Sequence, residues 1–207
     1  MCHISNKTTV INIRNTGPEN FDVLIQRPTI WGNPYRSSVY GREEALKLYE
    51  EYFLNNRSLY SQLYKLYGKV LGCTCKPLDC HGDLLCKICN SFKVIIAGDR
   101  NFQDYTLFTQ IVETKLKNRL GDITIISGGQ TGADTLAKTY AKNNNILHLD
   151  FPANWKEFGR AAGPIRNEEM AKLADGCLIF DGGGPGSLSM YNTSKKYKLI
   201  TRVYKLK

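Results

Sequence analysis

The stretch whose reading decides the fold is Ser127-Gly-Gly-Gln-Thr-Gly-Ala-Asp134. A short β-branched run, Ile123 to Ile126, precedes it. A helix-periodic stretch follows, with Ala133, Leu136, Ala137, Tyr140 and Ala141 on one face. Strand, glycine turn and helix in that order bring unpaired backbone N–H groups and the positive end of a helix dipole to one point. Such a point attracts phosphate. Gly128 and Gly129 let the backbone turn tightly and let a ligand approach it. Ser127, Gln130 and Thr131 add polar groups. A tight turn with no ligand is the alternative.

Two further stretches repeat the pattern. Lys93 to Ala97 is strand-like and ends in Gly98-Asp99-Arg100-Asn101. Cys177 to Phe180 is strand-like and ends in Asp181-Gly-Gly-Gly-Pro-Gly-Ser187. In an open parallel sheet, loops at the carboxyl ends of the strands share one edge, where ligands bind. The expected fold class is therefore α/β: a Rossmann-like, doubly wound, mainly parallel sheet over residues 93–207, with a smaller α/β domain over 1–92. Helices are expected at 105–120 and 132–144, and strands at 146–150 and 199–204. Pro164 suits the first turn of a helix through Glu168, Met170 and Leu173.

The candidate ligand groups follow from these loops. Gly98, Asp99 and Arg100 come from the first, and Ser127, Gly128, Gly129, Gln130, Thr131 and Asp134 from the second. Gly183, Gly184, Gly186 and Ser187 come from the third. Arg160, Arg166 and Asn167 flank the helix start at Pro164, where two guanidinium groups suit an anion. Trp155 and Phe158 offer a stacking face, or pack as a lid on themselves. Asp99, Asp134, Glu168 and Asp181 are the carboxylates available for acid–base work.

The formal charge is +9. Residues 195–207 hold six Lys and Arg and no acid. A lysine-guarded edge strand explains that tail as well as contact with a polyanion does. No apolar run approaches the roughly 20 residues that span a bilayer. Met1-Cys2-His3-Ile4-Ser5 lacks the pattern of a secretory signal, so a cytoplasmic, reducing setting is expected.

In the first domain, Thr8 to Ile13 and Phe21 to Ile25 read as strands. Arg27-Pro-Thr-Ile-Trp-Gly-Asn-Pro-Tyr35 is a rigid loop. Its Arg27, Trp31 and Asn33 suit an anionic or planar partner, although Trp31 serves equally as a core plug. Arg42 to Leu54 is an amphipathic helix, and Ser58 is the expected cap of a second one running to Tyr67. Cys73, Cys75, Cys80, His81, Cys86 and Cys89 then fall within seventeen residues. Cys73, Cys75, Cys80 and His81 are candidate metal ligands, with zinc as the candidate ion and no other cofactor expected. Paired CxxC knuckles are missing, so a reactive thiol beside His81 and buried structural cysteines stand as alternatives.

Residues 93–194 resemble the SLOG superfamily, the Rossmann-like group named for Smf/DprA and the LOG enzymes. The resemblance rests on Ile96-Ala-Gly-Asp-Arg100, Ser127 to Asp134, Gly159-Arg-Ala-Ala-Gly-Pro-Ile-Arg-Asn167 and Asp181 to Ser187. The string from Gly159 to Asn167 points to the YspA/YpsA-like branch. Ser127 to Asp134 is also similar to molybdenum-carrier proteins. The resemblance implies a nucleotide or nucleotide-derived ligand at the loop edge and self-association into an oligomer. LOG-type phosphoribohydrolases carry Pro-Gly-Gly-x-Gly-Thr-x-x-Glu, where this sequence has Ser187 for the Thr and Met190 for the Glu. A thioether does no acid–base chemistry, so binding is expected ahead of that reaction.

Residues 21–90 resemble a second family, found in bacteria and phages, through Arg27-Pro28, Trp31-Gly-Asn-Pro34, Gly41-Arg-Glu-Glu-Ala45 and the run from Gly68 to Cys80-His81-Gly82-Asp83. It brings no activity with it, and leaves Cys80, His81 and Asp83 as first-domain candidates. The expectation drawn is sensing or sequestration of a phosphorylated nucleotide signal by a protein of phage or mobile-element origin. Hydrolysis of an N-glycosidic or phosphate bond is the alternative. DprA-like single-strand DNA binding comes last, and nucleic acid and membranes are set aside as partners.

Overall fold

The computed structural model describes residues 7–206, and residues 1–6, read above for a signal, lie outside them. The chain forms two compact units, one ending at Asn90 and the other beginning at Ser91.

The first unit is built on three short parallel strands, β1 (Thr9–Asn12), β2 (Val23–Leu24) and β3 (Val70–Cys73), in the order β1-β3-β2. The central strand, β3, is absent from the sequence reading. Val-Leu-Gly-Cys is only four residues long and carries a glycine that strand propensity disfavours. Gly72 is required because a Cβ there would meet Phe21 and Ile13 side chains within 2.8 Å.

Helices α1 (Ser37–Tyr40) and α2 (Arg42–Leu54) follow the proline loop. α2 buries Ala45, Tyr49 and Phe53 at i, i+4 and i+8. The expected second helix breaks into α3 (Arg57–Tyr60) and a 3-10 turn at Leu63–Leu66. Its cap is Asn56, whose side chain accepts from Leu59 N at 3.2 Å, and Ser58 donates to that same side chain. α4 (His81–Asn90) closes the unit.

The second unit is a five-stranded, wholly parallel sheet. Its strands are β4 (Phe92–Gly98), β5 (Ile123–Ser127), β6 (Leu147–Asp150), β7 (Gly176–Asp181) and β8 (Ile200–Lys205), in the order β6-β5-β4-β7-β8. The order runs outward from β4 in one direction, then returns to add β7 and β8 on the other side. That is the Rossmann-like doubly wound arrangement, with its switch point between β4 and β7. β5 is buried at every residue, which is why Ile-Thr-Ile-Ile-Ser shows no alternation.

The helices are α5 (Tyr105–Leu116), α6 (Ala133–Asn143), the single turn α7 (Trp155–Phe158), α8 (Ala162–Leu173) and α9 (Pro185–Lys196). Phe108 stacks on Phe180 at 4.9 Å between ring centres, and Phe102 stacks on Phe180 at 5.2 Å. This cluster joins β4, β5, α5 and α6 beneath the loops. Lys93 is buried, its Nζ held by Ser91 O at 2.7 Å and Asp175 Oδ2 at 3.1 Å. No helix among the described residues is long and apolar enough to cross a membrane.

Candidate functional site

Close packing at the switch point fixes the loops. Asp99 N donates to Phe180 O at 2.9 Å, and Ala133 N donates to Asp99 O at 3.1 Å. The three carboxyl-end loops are thus tied together through backbone. A Cβ on Gly98 would lie 2.3 Å from Phe180 O, and one on Gly132 would lie 2.1 Å from Asp99 O. Gly132 also has φ +72°, so two independent reasons require glycine there.

The glycine loop after β5 is filled from within. Asp134, in the first turn of α6, accepts from Gly128 N at 3.1 Å and from Gln130 N at 3.2 Å. Arg166 Nη1 lies 3.9 Å from the same carboxylate and donates to Gly128 O, while its Nε donates to Asn167 Oδ1 at 3.0 Å. Burial holds the Asp134 carboxyl above the ordinary range, opposed by the Gln130 N–H, the Arg166 charge and the Gly128 N–H. Two of the N–H groups read as a phosphate cradle are therefore bonded to the chain's own carboxylate. Arg166, read as half of an anion clamp, is nearly buried and holds the loop.

Beside this plug lies a cleft of about 290 Å³. Gly98 and Arg100 line it from the β4 loop, Gln130 and Asp134 from the β5 loop. Trp155, Arg160, Arg166 and Asn167 line another wall, and Gly186 and Met190 of α9 a third. Arg100 and Arg160 are exposed. Neither has a hydrogen bond or ion pair among the described residues, so both guanidinium groups face the cleft uncommitted. Trp155 is 44% exposed beside them.

The remaining predicted groups lie elsewhere. Ser127 is buried and shares a 2.9 Å hydrogen bond with His148 Nε2. Burial lowers the His148 pKa, which favours the neutral ring. Thr131 is exposed outside the cleft lining. Ser187 is buried on α9, and with Asp181, Gly183 and Gly184 it lines a separate hollow toward β8. Asp99 accepts from Asn101 N at 2.6 Å and Asp181 from Gly183 N at 2.9 Å. Glu168 binds Lys196 Nζ at 2.6 Å and accepts from Tyr197, contacts that hold its carboxyl below the usual range. Asn167, which does line the cleft, donates its amide to Ser189 Oγ at 3.2 Å. Gly129 has φ +68° and sits against Asp150 and Pro152.

In the first unit, Trp31 is 5% exposed and is a core residue whose carbonyl accepts from Tyr49 Oη at 2.9 Å. Asn33 braces the loop, donating to Ala45 O at 2.9 Å and accepting from Tyr35 N at 2.8 Å. Arg27 is exposed and donates to Asn33 O. The sequence brings Cys73, Cys75, Cys80 and His81 together, and their ligating atoms all lie within 4.8 Å of one another. The group can hold a metal ion. Asp83 stands outside it, paired with Lys76 at 2.5 Å. Burial raises the Cys86 thiol to about 11, which keeps it protonated.

A parallel sheet with its candidate cleft at the topological switch defines the class of the second unit, a Rossmann-like α/β domain. The chain belongs to the YspA, cpYpsA-related SLOG family, matched over residues 92–158, and carries before it the domain described as "Domain of unknown function (DUF4326)", matched over 11–91. It is 35% identical over 94 residues to the "Uncharacterized 12.4 kDa protein in nrdA-td intergenic region" of Enterobacteria phage T4, covering 44% of this chain and 87% of that protein. It is 31% identical over 97 residues to "Gene 61 protein" of Mycobacterium phage D29, covering 44% and 78%.

Among solved structures it is similar to DNA processing protein A from Helicobacter pylori, described for its single-stranded DNA binding mode. The TM-score is 0.42 and the identity 21%, with 56% of this chain and 66% of that chain covered. The exclusion of nucleic acid as a partner is not kept, because this neighbour binds single-stranded DNA. At that TM-score the likeness supplies no positive argument for DNA binding here.

Proposed function

We propose that the second unit binds a phosphorylated nucleotide or nucleotide-derived molecule in the cleft between the β4 loop and α8, without turning it over. The observation that carries this is the uncommitted pair Arg100 and Arg160 on the cleft wall. Guanidinium groups match phosphate oxygens bidentately, and Trp155 beside them gives a base a face to stack on. Binding is favoured over turnover because Asp99, Asp134, Glu168 and Asp181 each have a partner within the chain. Met190, where LOG enzymes have Glu, is buried and inert to proton transfer. The family membership supports a nucleotide-type ligand. The role is sensing or sequestration.

The test is mass spectrometry of small molecules released by heating the purified chain, followed by titration of the recovered compound. An Arg100→Ala/Arg160→Ala variant is the comparison. A single-stranded oligonucleotide titrated in parallel separates a nucleotide held free from one held within a strand. Equal binding by wild type and the double variant would remove the cleft reading. Recovery of a chemically altered ligand would replace binding with turnover.

A second reading concerns the first unit, whose three thiols and one imidazole we take to be a zinc site. Sulfur and nitrogen donors in a group of four are the set that zinc takes. Metal analysis of the purified chain tests this directly.

A further inference from the structure

We propose, resting on that zinc reading, that the ion is a closed structural clamp with His81 ligating through Nδ1, fastening the end of β3 to the start of α4. Four protein donors complete a tetrahedron and leave no open position, which is the mark of a structural rather than a catalytic zinc.

The tautomer follows from one hydrogen bond. His81 Nε2 lies 2.8 Å from Ile25 O. A carbonyl only accepts, so in the neutral ring Nε2 carries the proton and Nδ1 keeps its lone pair. Nδ1 faces the sulfurs, 3.8 Å from Cys80 Sγ. Zinc bonds of about 2.3 Å to sulfur and 2.0–2.1 Å to nitrogen place S and N about 3.6 Å apart across a tetrahedral edge. The observed spacing is close to that before any ion draws the donors in. A backbone carbonyl on the distal ring nitrogen is also the usual outer support of a ligating histidine. The ring is fixed from its side by Tyr49, edge-on at 4.9 Å.

The other donors are held at their backbones with their sulfurs turned to one point. Cys73 ends β3, and its carbonyl accepts from Ile13 N at 3.1 Å. Cys75 opens a turn closed by Leu78 N on its carbonyl at 3.1 Å. Cys80 N donates to Asp83 Oδ2 at 2.9 Å, and Cys80 Sγ accepts from Gly82 N at 3.3 Å. Asn12 on Lys76 O and Arg42 on Asp79 O, the latter at 2.8 Å, pin the loop between the donors. The sheet beneath has strands of four, two and four residues. So small a sheet gains from a staple at its carboxyl edge.

The test uses the full chain carrying Trp155→Phe, which leaves Trp31, buried in the first unit, as the remaining tryptophan. Metal content is measured first, with one zinc per chain expected. The variants Cys75→Ser and His81→Ala, each missing a direct donor, are expected to weaken zinc affinity by more than the ~10-fold that loss of an outer support costs, read by competition with a chromogenic chelator. Cys86→Ser, outside the cluster, keeps it. Absence of zinc from the wild type overturns the zinc reading itself.

Zinc is then removed from the wild type with a strong chelator, so the result does not depend on a variant folding. Expected are a red shift of Trp31 emission and a lower thermal midpoint for the transition that Trp31 reports, both reversed by added zinc. Zinc present but removable with neither change overturns the clamp while leaving the site. Long-range nitrogen–proton spectra of the holo chain locate the His81 proton: on Nε2 as inferred, or on Nδ1, which overturns the ligation proposed.

Discussion

Replacing Asp134 with alanine separates a loop organised around its own carboxylate from one open to a ligand. The substitution leaves two backbone N–H groups, Gly128 and Gln130, without their acceptor. Each such loss in a buried site costs about 1–3 kcal/mol. It also takes the facing carboxylate from Arg166, whose side chain is 11% exposed, and breaking a buried pair on one side costs about 3–5 kcal/mol. The two losses share atoms and do not add fully, so the expected total is about 4 kcal/mol. For a unit of this size that lowers the melting temperature by about 15 °C. Urea unfolding followed by far-ultraviolet circular dichroism measures it, with the denaturant slope unchanged. Arg166→Ala should cost less on top of Asp134→Ala than alone. A loss within about 0.5 kcal/mol, the size of an ordinary surface change, would refute the reasoning and return Asp134 to the pool of free carboxylates.

Other outcomes follow from the same geometry. Arg100→Ala and Arg160→Ala should each weaken binding of the recovered ligand by about tenfold to a hundredfold, at 1.5–3 kcal/mol per charged hydrogen bond, with the melting temperature unmoved. A matching loss of stability would show that these side chains do have partners in the fold. Gly132→Ala should destabilise by several kcal/mol, since its Cβ would meet Asp99 O at 2.1 Å with φ at +72°; soluble, wild-type-like protein would contradict the loop geometry. His148 has a folded pKa below its ordinary 6.5 because it is buried. The group therefore contributes stability that is present above pH 6.5 and lost as pH falls through its folded value. Asp150 opposes that shift and Lys138 adds to it. Asp134, with its raised pKa, contributes with the opposite sign, so the measurement is the difference between wild type and His148→Gln. An identical pH slope in the two would show that His148 is not buried as a neutral ring.

How much was legible depended on whether the signal was local. The parallel sheet of the second unit was readable because β4, β5 and β7 are compact apolar or β-branched runs, each ending in a glycine-containing loop. The three short runs at Ile123, Lys93 and Cys177 led directly to β5, β4 and β7. β3 escaped because four residues with a glycine carry no strand signal, and only pairing on both edges makes Val70–Cys73 a strand. The helix expected from Ser58 to Tyr67 instead starts at Arg57, where Asn56 is the cap, and breaks after Tyr60 into a separate 3-10 turn.

The candidate site was half readable. Gly98, Arg100, Arg160 and Trp155 line one cleft. What composition could not reveal is which charges are already spent. Arg166 and Asp134 are thirty-two positions apart, and no spacing rule says that one faces the other across Gly128 rather than facing a ligand.

The sequence by itself determined the α/β class, the glycine loops at the strand ends and the cysteine–histidine set, because these rest on residue type and short spacing. Tertiary structure alone decided that Asp134 and Arg166 fill the glycine loop while Arg100 and Arg160 remain open. It also decided that the Ile25 carbonyl sets the His81 tautomer. Those outcomes depend on distances between residues far apart in the chain, and such distances are fixed only when the elements pack.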